Sequence, residues 1–173
     1  MNKKNLKHIL SIMVDNEPGV LARVVGLFSG RGYNIESLSV SEVDSHKFLS
    51  RITVVTSGTK IIVDQIKAQL AKLIPVHNLV DITELKSFIG KELILIKLDV
   101  KNKQIIDFKK KLERLGAKIL EENDLNLIVQ FTGSPDEVRK IENILKPYKI
   151  IEQTRSGLVS MATGTDYIKK IER

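Results

Sequence analysis

Apolar positions in this chain fall into strand and helix rhythms, and the same order of rhythms occurs twice. Residues 9–14 are a short, nearly unbroken apolar run, the pattern of a buried strand. Asp15-Asn16-Glu17-Pro18-Gly19 ends it, and Val20, Leu21, Val24, Leu27 and Phe28 then recur at helical spacing. Pro18 suits a first helical turn, and Asn16 or Glu17 can cap it. Gly30 and Gly32 predict the stop, with one of them at the left-handed position past the helix end. Residues 33–40 read as a second strand, Asp44-Ser45-His46-Lys47 as a polar hairpin turn, and residues 48–56 as a third strand. In that third strand Ile52 and Val54 face one way, Arg51 and Thr53 the other. Ser57-Gly58-Thr59 opens a second helix with Val63, Ile66, Leu70 and Leu73 on its apolar face. Pro75 ends it, and residues 76–85 make a fourth strand.

The second half repeats the order. Residues 93–100 form a strand, and Ile105, Phe108, Leu112 and Leu115 form a helical stripe closed by Gly116. Residues 117–120 and 125–131 pair as a hairpin around Glu122-Asn123-Asp124. Ser134-Pro135-Asp136-Glu137 has the form of a capping box with Pro at the first helical position. Val138, Ile141 and Leu145 follow, Pro147 stops that helix, and residues 150–161 are a last extended stretch broken at Gly157. The chain is therefore read as α+β, two tandem ferredoxin-like βαββαβ domains, residues 1–83 and 84–173. Each would carry a four-stranded antiparallel sheet with two helices on one face. The other face needs a cover, which makes a homodimer an expectation.

Composition narrows function mainly by exclusion. Of the 173 residues, 42% are hydrophobic and 28% charged, an ordinary globular balance, and there is no cysteine for a disulfide, thiolate metal site or thiol nucleophile. No uncharged apolar stretch is long enough to span a membrane, and residues 1–8 are polar and basic without an apolar signal core. The net charge of +7 is spread over both halves, and the candidate strands offer Ile, Val, Ser and Thr rather than stacking aromatics, so nucleic acid is not expected as a partner. His8, His46 and His77 fall in three different elements without ligand or triad spacing and read as surface or strand-end residues. Gly30-Arg31-Gly32 follows a helix rather than a strand, which rules out a dinucleotide loop. Glu121-Glu122 with Asp124 reads as a solvated turn, and Lys109-Lys110-Lys111 with Arg114 as a solvated helix face. No catalytic constellation and no metal site is expected.

The segment that carries chemistry runs from Asp15 to Val40, DNEPGVLARVVGLFSGRGYNIESLSV. A strand turns tightly into a helix there, and the first amides of that helix lack intrahelical acceptors and sit at the positive end of its dipole. A carboxylate placed there would accept them. Gly19 lets a ligand approach the backbone, Asn16 offers an amide and a carbonyl, and the Asn34 side chain could hold an ammonium or a carboxylate. Val20, Leu21 and Ile35 could line an aliphatic pocket. These are the parts needed to hold an α-amino acid with a small apolar side chain. The plainer alternatives are a glycine that eases a turn, an asparagine that caps a helix, and another that satisfies a loop.

Asp15-x-x-Pro18-Gly19-Val20-Leu21 followed by Gly32-Tyr33-Asn34-Ile35 resembles the ligand signature of ACT domains. The longer string PGVLARVVGLFSGRGYNIESLSV resembles the N-terminal segment of the acetolactate (acetohydroxyacid) synthase small regulatory subunits. Leu49-Ser50-Arg51-Ile52-Thr53-Val54, Lys91-Glu92-Leu93-x-Leu95-Ile96-Lys97, and Glu152 with Arg155-Ser156-Gly157 are similar to later segments of that family. The resemblance implies a non-catalytic regulatory subunit whose ACT domains pair side by side. It implies valine, or isoleucine or another branched-chain amino acid, bound at that dimer interface for feedback inhibition. Carried over, Asn16, Gly19 and Asn34 contact the ligand, with Asn34 reaching across from the other protomer. The second domain, which leads from its first strand into Lys101-Asn102-Lys103 rather than a Pro-Gly turn, is implied to meet the catalytic large subunit. That partner would carry thiamine diphosphate, Mg²⁺ and FAD, and this chain none. The implied location is the cytoplasm or a plastid stroma. A freestanding ACT-type amino-acid sensor with another target is the alternative, although such a tandem sensor would more naturally show the ligand turn in both halves.

Overall fold

The computed structural model describes residues 6–100 and 106–164. Its chain divides into two units. One runs to Ile89 and takes in the segment from Leu158 onward; the other is Gly90–Gly157. The sequence reading set the boundary at 83/84 and gave everything after it to the second domain. The difference arises because residues 82–84 form a 3-10 turn that belongs to the first unit, and because the last strand returns to that unit. Asp81 caps the turn by accepting the Thr83 N–H at 3.0 Å.

The first unit is built from β1 (Leu6–Asp15), α1 (Val20–Ser29), β2 (Ser37–Asp44), β3 (Leu49–Gly58), α2 (Lys60–Leu70) and β4 (Val76–Asp81). Its sheet is antiparallel in the order β2-β3-β1-β4, the ferredoxin-like arrangement. Strand alternation puts Leu10, Ile12, Val14, Ile52 and Val54 on one face, against Val20, Val24 and Phe28 of α1 and Val63, Ile66 and Leu70 of α2. The hairpin turn forms as expected: Asp44 accepts the N–H groups of His46 and Lys47, both at 3.1 Å. Thr59 caps α2 through the Ile62 N–H.

The second unit repeats the topology with β5 (Phe88–Asp99), α3 (Ile106–Arg114), β6 (Lys118–Glu122), β7 (Asn126–Gly133), α4 (Pro135–Leu145) and β8 (Lys149–Arg155), in the order β6-β7-β5-β8. Ile94, Ile96, Leu98, Leu127 and Val129 pack against Phe108 and Leu112 of α3 and Val138, Ile141 and Leu145 of α4. Ile105 and Lys101-Asn102-Lys103 lie outside the described residues, and Leu115, read as part of the α3 stripe, is exposed. The capping box is complete, with Ser134 accepting the Glu137 N–H and Glu137 accepting the Ser134 N–H.

The Arg155-Ser156-Gly157 motif has a structural role in this unit. Arg155 pairs with the buried Glu92 and reaches Glu142 at 3.5 Å. Ser156 exchanges hydrogen bonds with the backbone of Leu93: its N–H donates to the Leu93 carbonyl, and its Oγ accepts the Leu93 N–H. The chain then turns through Gly157, at φ +76°, into β9 (Val159–Ala162).

Of the histidines read as surface or strand-end groups, His8 departs from that reading by its burial, while His77 stands at the start of β4. His8 is buried on β1, with Nδ1 2.6 Å from an oxygen of the buried Asp81. His77 lies half-buried, 2.5 Å from Asp15.

Candidate functional site

The turn from β1 into α1 is where the sequence predicts a ligand, and its backbone differs from the predicted cap. Gly19 has φ +84° and ψ −8°, and the Val20 N–H donates to the Glu17 carbonyl at 3.3 Å. That is the geometry of a type II turn with Pro18 and Gly19 as its central pair. Pro18 therefore belongs to the turn and not to the first turn of the helix. A side chain at Gly19 would meet nothing within 4 Å, so glycine is required by the left-handed backbone and not by crowding.

Neither Asn16 nor Glu17 caps α1. The N-terminal position has no side-chain hydrogen bond, and the first turn holds no acidic residue. The Asn16 N–H donates to the Phe48 carbonyl at 2.6 Å, and its Nδ2 to Glu42 at 3.1 Å. The helix's own ladder begins with the Arg23 N–H donating to Gly19. Among the described residues the Leu21 and Ala22 amides therefore have no acceptor, and they point out of the positive end of the helix beside an exposed glycine.

The far end of α1 closes as a Schellman motif. The Tyr33 N–H donates to Phe28, the Gly32 N–H donates to Ser29, and Gly32 holds φ +69°. The chain then runs through a loop, so Asn34 and Ile35 precede β2 and are not its first residues. This loop is held from β3: the Asn34 carbonyl accepts the Thr56 hydroxyl at 2.7 Å, and the Glu36 N–H donates to the Val55 carbonyl at 2.8 Å. Hydrogen bonds from Lys7, at 2.8 Å, and Ser57 hold the Glu36 carboxyl below its usual pKa. With its backbone fixed in this way, the Asn34 residue stands exposed.

The predicted aliphatic lining divides. Val20 is 3% exposed and belongs to the core, and Ile35 packs against the same cluster. Leu21 alone is turned outward, at 40% exposure. Asn16 and Asn34 share no hydrogen bond among the described residues, and Glu42, which the sequence reading missed, holds the Asn16 side chain. Nothing local in the sequence marks Glu42, because the pairing of β2 with β3 brings it near. Strand β2 is the edge of its sheet, and Val40 and Val43 on it are exposed.

Other chemistry is sparse. Among the described residues no group of three or more His, Asp or Glu could hold a metal ion. No helix there is long and apolar enough to cross a membrane. The second unit has a shallow depression of about 210 Å³, lined by Leu95, Lys97, Ile128, Glu152 and Thr154 among others, on the sheet face away from its helices.

A ferredoxin-like unit with an open helix end after a Pro-Gly turn is the architecture of an ACT domain. Residues 10–78 match the family model described as AHAS small subunit-like ACT domain, and residues 91–164 the one described as small subunit of acetolactate synthase. The chain is 36% identical over 163 residues to the acetolactate synthase small subunit of Buchnera aphidicola, covering 92% of this chain and all of that one. It is 39% identical to that of Mycolicibacterium smegmatis, with 91% of each covered. The crystal structure of the Thermotoga maritima small subunit superposes with a TM-score of 0.84 at 30% identity, covering 93% of this chain and 99% of that one. The chain belongs to the acetolactate synthase small-subunit family.

Proposed function

We propose that this chain regulates an acetolactate synthase catalytic subunit and binds valine, or a related branched-chain amino acid, where two copies of its first unit pair. The observation that carries this reading is the open N-terminus of α1. Its Leu21 and Ala22 amides are unclaimed among the described residues, the first turn of the helix holds no acidic residue, and the space over Gly19 is free. An α-carboxylate would accept those amides at the positive end of the helix dipole. Asn16 would add its side-chain carbonyl for the ammonium group, since its amide is already committed to Glu42.

The aliphatic side chain would lie against Leu21. Val20 serves the core and is unavailable. A second copy pairing along the β2 edge would bring its own Asn34 to the ligand and cover the exposed Val40 and Val43. The second unit, which offers no such turn among its described residues, would engage the catalytic subunit. Thiamine diphosphate, Mg²⁺ and FAD would belong to that subunit.

The small subunit would activate its partner by favouring a productive conformation, and the amino acid would withdraw that support by binding the inhibited state more tightly. Only differential affinity shifts such an equilibrium, with a coupling of roughly 1–3 kcal/mol. The test is reconstitution with the catalytic subunit of the same source. Addition of this chain should raise the rate, and valine should lower it only when this chain is present. A folded chain that leaves the rate unchanged would sink the assignment of the partner.

A further inference from the structure

The residue that follows the second unit is built into the first one. Leu158 is 4% exposed and packs with Ile9, Val55 and Ile82 in a cluster separate from the helix-side core. Its two backbone groups are both gripped by serines of β2. The Leu158 N–H donates to the Ser37 hydroxyl at 3.2 Å, and the Leu158 carbonyl accepts from the Ser39 hydroxyl at 2.8 Å. Ser37 and Ser39 lie two apart and so share one face of the strand. Further on, the Thr163 N–H donates to the Ser87 carbonyl at 3.2 Å. Gly157, at φ +76°, makes the bend that delivers Leu158.

The clasp closes on the strand that begins three residues after Asn34. Val55, which Leu158 packs against, holds the Glu36 N–H through its carbonyl, and the adjacent Thr56 holds the Asn34 carbonyl. The Asn34–Ser37 segment is thus fixed on one side by β3 and on the other by the clasp. If the clasp opens, the Ser37 and Ser39 hydroxyls lose their partners and Val55 loses its cover, so the loop carrying Asn34 gains freedom that a ligand must then remove.

We propose that Ser37, Ser39 and Leu158 are positioning residues for the amino-acid site, so that effector affinity depends on docking of the chain segment after Gly157. This rests on the ligand reading given above. The device would make part of the effector site out of chain that comes only after the whole second unit has been laid down. By linkage, occupancy of the site must tighten the clasp by the same factor that the clasp tightens binding.

The experiment uses the full-length chain and valine as the probe. Titration calorimetry gives the valine affinity of wild type, of Ser37→Ala/Ser39→Ala and of Ser39→Thr, which keeps the hydroxyl. Hydrogen exchange of the 158–162 amides is followed in wild type with and without valine. The expected result is about tenfold weaker binding in the double variant, within the usual range of such couplings. Near-normal binding in Ser39→Thr and slower exchange at 158–162 with valine complete the expectation. A folded double variant with wild-type affinity overturns the clasp, as does wild-type exchange at 158–162 that saturating valine leaves unaltered. The exchange measurement decides alone if the double variant does not fold. A wild-type chain that binds no valine, isoleucine or leucine removes the ligand reading and the clasp with it, whereas tight binding without coupling removes only the clasp.

Discussion

Two helix starts in this chain, that of α4 and that of α1, are closed in opposite ways. At the start of α4, Ser134 and Glu137 satisfy each other's backbone N–H groups, Pro135 fills the first helical turn, and Asp136 and Glu137 supply negative charge. At the start of α1 none of these devices is present: the preceding residue is a left-handed glycine, and two amides are left over. A helix end saturated by its own side chains has nothing to offer an anion. One left open forgoes about 1 kcal/mol of capping stability and leaves its amides available to an anion. The chemistry of a helix start therefore decides whether its first amides serve the fold or stay open to an anion.

The sharpest way to break the comparison is to close α1. Gly19→Asp would put a carboxylate where the ligand's is proposed to sit, on a backbone that costs a side chain about 1–2 kcal/mol. Valine affinity should fall by at least ~100-fold. Gly19→Asn, neutral and better suited to the left-handed region, should lose less, and the gap between the two measures the charge term. Wild-type affinity in Gly19→Asp, read by calorimetry, would mean the open helix end is not the carboxylate site.

Next in size is Asn34→Ala. Loss of a hydrogen bond to a charged group costs roughly 1.5–3 kcal/mol. Valine inhibition of the reconstituted enzyme should then need about 10–100-fold more valine. Because the Asn34 carbonyl, not its side chain, anchors the loop to Thr56, the substitution should leave that anchor intact. Unchanged inhibition would move the site away from this loop.

These residues also mark where the sequence was legible. Periodicity located the strands and helices of both βαββαβ repeats, most plainly where burial alternates: Ile94, Ile96 and Leu98 are buried while Leu93, Leu95 and Lys97 beside them are less so. The capping box at Ser134 was readable because all its parts are local. The cap of α1 was misread because the choice between a helical and a turn role for Pro18 depends on the backbone of Gly19, which no letter records. Val20 and Leu21 looked equivalent as pocket lining, yet a rotation of about 100° per residue buries one and exposes the other. The destination of β9 was invisible for a different reason. Its pattern says strand, but where the chain goes after Gly157 is set by long-range packing, here Leu158 on Ile9, Val55 and Ile82. The Arg155–Glu92 and His8–Asp81 pairs were equally out of reach, since they join residues 63 and 73 positions apart.

The smallest effect belongs to the closed helix end. Ser134→Ala should cost ~1 kcal/mol of stability and leave valine affinity unchanged, since that cap serves the fold alone. The box also has an acid signature. The Glu137 carboxyl is held down to about 2 from 4.5 by the Ser134 backbone N–H, then by Lys91 and the Ser134 side chain. Its folded pKa lies below the unfolded one, so its contribution is complete above about pH 4.5 and is lost as the pH falls toward 2. Glu137→Gln should therefore flatten the stability-versus-pH slope in that window while changing little of the slope above it. If denaturation midpoints of wild type and Glu137→Gln run parallel from pH 4.5 down, the reciprocal bond to the Ser134 N–H does not hold in solution. The contrast between the two helix ends would then rest on the open one alone.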